Sequence, residues 1–252
     1  MLLLALLACS TQEPAPRPAA PVLPVVAPAV LVPPPAKVQE SLQKAGIQAD
    51  VQSIVGSKII RPIGESNDET AVRTGVLLAQ LVLTTRSAPR PESLARLTAV
   101  REGLSTLGAA PGLVESLEQL AAGLGNDAIN ESDRAMELER IAKVIVEQGY
   151  KSGPRTVPLL QAGGWLAGSN VVASAVLSSG KIDAASLLKQ PEVAAYFLGF
   201  VRSEGQKADL PPVMAKVEAT LQLLQSLAER PTIGTEELQQ VQTYTNDLLG
   251  LL

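Results

Sequence analysis

Cys9 is the only cysteine in 252 residues, so its thiol is the single sulfur nucleophile the chain carries. No disulfide can form within the chain. Histidine is absent altogether. That excludes the histidine-based triads and dyads, haem attachment through Cys-x-x-Cys-His and the histidine-rich zinc sites. Ser-x-x-Lys occurs at Ser41 to Lys44, Ser178 to Lys181 and Ser186 to Lys189. The Ser-Asp-Asn and Lys-Thr-Gly elements that would give this loose pattern a catalytic meaning are missing. A glycosidase-like carboxylate pair needs only two acids across a cleft, but nothing specific marks one. Gly163, Gly164 and Gly168 lack the preceding strand and the spacing of a dinucleotide fingerprint. The sequence therefore indicates no catalytic residue, no metal site and no cofactor.

Two polar groupings remain as candidate contact sites. The denser is Arg61, Glu65, Asp68, Glu69 and Arg73. Arg73 follows Glu69 by four residues, the favourable order for a helical ion pair. The plain reading is a capped helix start with surface pairs. The sharper one is a groove in which Arg61 and Arg73 hold an anionic ligand or a partner segment. The second grouping is Tyr150-Lys151-Ser152-Gly153-Pro154-Arg155 followed by Trp165, the sole tryptophan. Tyr150 and Trp165 are candidate pocket residues. The alternative is that Trp165 fills a core gap left by its small neighbours.

Cys9 sits directly behind Leu2-Leu3-Leu4-Ala5-Leu6-Leu7-Ala8 and directly ahead of a polar, proline-rich stretch. Leu6-Leu7-Ala8-Cys9 resembles the signal of bacterial lipoproteins, in which leucine and small residues precede the cysteine that becomes lipid-modified. The resemblance covers the leader and, loosely, the stretch after it. It implies cleavage after residue 8, acylation of Cys9 and a periplasm-facing position in the cell envelope. Ser10 stands where an aspartate often marks inner-membrane retention in such proteins, so the outer membrane is expected. An acylated Cys9 is no longer a nucleophile. The apolar leader is too short to span a bilayer, which takes about 20 residues, whereas several acyl chains anchor stably.

Residues 10 to 36 contain nine prolines among Ala and Val. Proline fixes φ and removes a donor, so neither helix nor sheet is expected there. Fully extended at about 3.1 Å per residue, this tether would reach roughly 80 Å. Within it, Val22-Leu23-Pro24-Val25-Val26 is apolar enough to pack against the body instead.

Residues 37 to 252 read as all-α, a multi-helix bundle or irregular helical array of about eight to ten helices, with a candidate division into two subdomains near 150–156. Apolar residues recur every three or four positions and strand-like alternation is scarce. Aromatic residues make up only 2%, so Leu, Val, Ile and Ala must fill the core. Expected helices cover Lys37 to Lys44 and Ala49 to Ile60. Ser66-Asn67-Asp68-Glu69 is a capping-box sequence that opens a helix ending near Thr85, with Val72, Val76, Ala79 and Leu83 on one stripe and Glu69, Arg73, Gln80 and Thr84 on another. Pro91, Pro191 and Pro212 suit first turns. From Thr156 to Gly180 there is no charged residue. Gln161, Ser169, Asn170 and Ser174 argue against a membrane crossing there and for a central buried helix, with a break expected near Gly163-Gly164.

The net charge of -4 and the lack of clustered Lys and Arg give no nucleic-acid surface. The expected partners are a lipid membrane, through the acylated Cys9, and an envelope protein. The function expected is a membrane-tethered structural or protein-interaction module. The alternative is a lipoprotein binding a small molecule or lipid between its helices.

Overall fold

The computed structural model describes residues 32–125, 130–202 and 210–252. Cys9 and Val22 to Val26 lie outside them. Among the described residues the fold is all-α, with ten α-helices, one 3₁₀ segment and no strand. In chain order the helices are α1 Pro35–Lys44, α2 Val51–Val55, α3 Asn67–Leu83, α4 Arg90–Thr106, α5 Pro111–Gly125, α6 Glu131–Glu147, α7 Thr156–Ser179, α8 Pro191–Val201, α9 Pro212–Ala228 and α10 Thr235–Leu251. The 3₁₀ segment is Ile182–Leu188.

Two of these helices form the axis of the molecule. The α3–α7 pair has a larger contact than any other two elements, and it joins segments on either side of residues 150–156. Helices α1, α2, α8 and α10 and the 3₁₀ segment pack on α7, while α4 packs on α3 and carries α5. Helix α9 rests on α8 and α10. A continuous apolar core runs through all of them.

The axis works because of glycine. A Cβ added to Gly75 would lie 1.8 Å from the Leu160 carbonyl oxygen. One added to Gly163 would lie 2.1 Å from the Val72 carbonyl oxygen. Only a hydrogen fits at either place, so the two backbones meet more closely than side chains would allow. The expected break at Gly163-Gly164 is therefore corrected. Helix α7 runs unbroken for 24 residues, and these glycines are its contact face. Tertiary packing outweighs their poor helix propensity.

Helix α3 corrects a second expectation. Val72, Val76, Ala79 and Leu83 are buried as expected, but so are Glu69, Arg73, Gln80 and Thr84. The polar stripe, whose Glu69 and Arg73 read as a surface pair, is enclosed by neighbouring helices. Helix α7 is buried from Pro158 to Val176 with Gln161 half-buried. Its polar residues face α10: Asn170 donates to Thr245 Oγ1 at 2.7 Å and Asn246 Oδ1 at 2.8 Å, and Gln242 donates to Ser174 at 2.9 Å. No described helix is long and apolar enough to cross a membrane.

Helix ends follow local chemistry. Ser66 Oγ accepts from Glu69 N at 3.1 Å, and Glu69 Oε2 accepts from Glu65 N at 3.1 Å, so the box closes one residue earlier than its usual form. Removing the Ser66 hydroxyl (Ser66→Ala) should cost about 1 kcal/mol, read as a lower urea midpoint with an unchanged slope. The helix expected over Ala49 to Ile60 shrinks to Val51–Val55, because Asp50 caps its start and Gly56, at φ 72°, ends it. Gly234 precedes the first turn of α10, and its N–H donates to Glu237 Oε2 at 3.0 Å.

Candidate functional site

Arg61 and Arg73 do not form a shared cationic groove. Arg61 is exposed at the surface. Arg73 is buried, and its donors are spent inside the protein. Its Nε donates to Glu69 Oε1 at 2.7 Å, and Nη2 lies 2.6 Å from the same oxygen. Nη1 reaches the carbonyl of Arg61 at 3.3 Å and the main-chain oxygen of Leu252. Nη2 also reaches the Leu251 carbonyl at 3.4 Å. Arg73 thus ties the start of α3 to the last turn of α10. The carbonyls there have no partner within their own helix, and a cation at that end also meets the negative pole of the helix dipole.

The same device recurs. Arg96 Nη2 donates to the Gly56 carbonyl at the end of α2. Arg134 donates to the Thr85 carbonyl just past α3. Arg155 donates to Phe200 O in the last turn of α8 at 2.7 Å and pairs with Asp68 at 3.0 Å. Lys181 donates to Gly46 O just past α1 at 2.8 Å. Arginine and lysine side chains of this body close the carbonyl ends of other helices. Among these arginines the sequence groupings included Arg73 and Arg155 but neither Arg96 nor Arg134. Arg96 carried one legible signal, its place beside Leu97 on the side of α4 that also buries Val100 and Leu104. Burial holds the Arg96 guanidinium pKa below its ordinary value, against the opposing pull of Glu92.

Tyr150 is a capping residue as well. Its hydroxyl donates to the Ile145 carbonyl near the end of α6 at 2.9 Å. The following residues close α4, with Ser152 Oγ donating to Leu107 O at 2.9 Å. Burial pushes the Tyr150 phenol well above the ordinary tyrosine range. Its contribution to stability is therefore complete below that range and lost as pH rises toward the folded-state value. Alkaline titration by ultraviolet absorbance should show a phenol ionising late, with the unfolding midpoint falling over that window. Tyr196 is also held above the ordinary range by burial, so a Tyr150→Phe variant in which the late-ionising absorbance loses no amplitude would contradict this.

Trp165 is 8% exposed. Its Nε1 donates to Gln190 Oε1 at 3.2 Å, and its ring lies 5.9 Å from that of Phe197. It lines a cleft of about 120 Å³ with Pro33, Pro35, Val38, Leu188 and Gln190. Pockets for small molecules usually enclose about 300–1,000 Å³. Tyr150 is not among the residues lining this cleft. At that size the cleft would take a single side chain. No group of three or more Asp, Glu or Cys side chains that could hold a metal occurs among the described residues. No family model matches the chain, and no curated protein or solved structure gives a significant match.

Proposed function

We propose that this chain is a membrane-tethered structural or protein-interaction module of the bacterial cell envelope, facing the periplasm and held by acyl chains on Cys9. The observation that carries this reading is the sequence around Cys9, an apolar leader followed by the lone cysteine and a proline-rich tether. The body supports it in a second way. Arg73 and Tyr150 are used to close helix ends, and Trp165 borders only a side-chain-sized cleft. Such a body offers a stable shape with a mixed-charge surface, which suits contact with other proteins. An outer-membrane position is part of the proposal, from Ser10 after the cysteine.

The test is fractionation of native cells carrying either the wild type or Cys9→Ala. The wild type should sediment with membranes and dissolve only in detergent, and the variant should lose both properties. Equal partition of the two would sink the anchor. A reproducible envelope protein crosslinked to the wild type supports the interaction role. A body that stays monomeric with no such partner argues against it.

A further inference from the structure

The segment that leads into the body is held less firmly than the helix beneath it. From Val32 to Lys44 only Leu42 is fully buried. Val32, Ala36 and Val38 are partly buried and pack on the edge of the core. Helix α7 below them is buried over most of its length. Polar attachments are as sparse. Gln39 Nε2 donates to the Leu83 carbonyl at the end of α3. Lys37 and Lys44 both pair with Glu40, in exposed ion pairs that lie within the segment itself.

The hold changes at Gly46. This glycine turns the chain at φ 72°, a conformation that costs it little. Its carbonyl accepts from Lys181 Nζ at 2.8 Å, and Ile47 after it is only 2% exposed. What the segment covers on its other side is apolar. Pro33, Pro35 and Val38 share the cleft with Trp165, Gly168 and Val172 of α7. A Cβ added to Gly168 would lie 3.2 Å from Val38 Cγ2, so the segment lies directly on α7 there.

Elements with few buried apolar contacts open ahead of the global transition. We propose that Val32 to Lys44 is a strap, hinged at Gly46, that opens before the rest of the body and uncovers Trp165 on α7. The strap also joins the body to the proline-rich stretch before it, so a pull on that stretch reaches the strap before the α3–α7 axis. This last role rests on the tether proposed above, whereas the opening does not.

Native-state hydrogen exchange of the full chain in low urea tests the opening. Acrylamide quenching of the sole tryptophan reports what it uncovers. Amides from Gln39 to Lys44 should exchange through an opening that α3 and α7 do not share. Leu42→Ala should speed their exchange about thirtyfold or more, the usual consequence of emptying a buried leucine site. Leu42→Asp sets a charge at the one buried site of the strap and should raise the quenching of Trp165 while α3 and α7 stay protected. Strap amides protected as strongly as those of α7 would overturn the proposal. So would a Leu42→Asp chain with α3 and α7 intact and Trp165 quenched no more than in the wild type. Loss of the anchor at Cys9 would leave these results unchanged, so the two readings fail separately.

Discussion

Valine at position 163 should lower the thermal midpoint of this protein more than any surface change. Gly163 has room for a hydrogen only, because an added Cβ would lie 2.1 Å from the Val72 carbonyl oxygen. That obstacle is backbone, in the middle of a buried helix, and cannot rotate away. Helices α3 and α7 would have to separate, and every element packed on that pair would lose part of its contact. Overpacking of this kind costs about 1–3 kcal/mol where side chains can adjust, so roughly 3 kcal/mol is expected where they cannot. For a chain of this size that corresponds to a fall of about 6–12 °C. Gly75→Val should behave alike, since Leu160 O lies 1.8 Å from its added Cβ. Gly199 is the control. It is exposed in α8 with nothing near its added Cβ, and Gly199→Ala should stabilise by about 0.5–1 kcal/mol through helix propensity. Calorimetry that finds Gly163→Val as stable as the wild type would refute the glycine-mediated axis.

Replacing Arg73 by methionine should cost about 3–5 kcal/mol, the range for breaking a buried ion pair from one side. The Glu69 carboxylate would be left enclosed without its cation, and the last carbonyls of α10 would lose their donor. Exposed pairs give the contrast. Arg140–Glu137 lies in solvent on α6, and Arg140→Met should change stability by no more than about 1 kcal/mol. Adding Glu69→Gln to Arg73→Met should recover part of the loss, because no buried charge then remains unpaired. Urea unfolding measures all three variants. A loss at Arg73 no larger than that at Arg140 would show that the guanidinium is solvated and that the α10 end does not depend on it.

What could be read from the sequence divides along physical lines. Local signals held. Ser66 opens α3, Pro91, Pro191 and Pro212 sit in first turns, and the Val72–Leu83 stripe is buried. These depend on neighbours within a turn or two. The glycines of α7 misled because propensity argues for a break, whereas their role depends on Val72 and Gly75 in a helix some ninety residues earlier. Glu69 and Arg73 looked solvent-facing because their charges match a surface pair. Their burial follows from the α10 end, 179 residues from Arg73, which no local pattern announces. Tyr150 and Trp165 stood out as candidate pocket residues, but nothing in the sequence signalled that one caps α6 and the other bonds Gln190.

The measurement that bears most directly on the proposed function is the intact mass of the protein isolated from its native membranes, beside that of Cys9→Ala. The account predicts a chain that begins at Cys9 and carries a lipid-sized increment, which the variant lacks. An uncleaved, unmodified wild-type chain would contradict it and remove the ground for placing this helical body in the cell envelope.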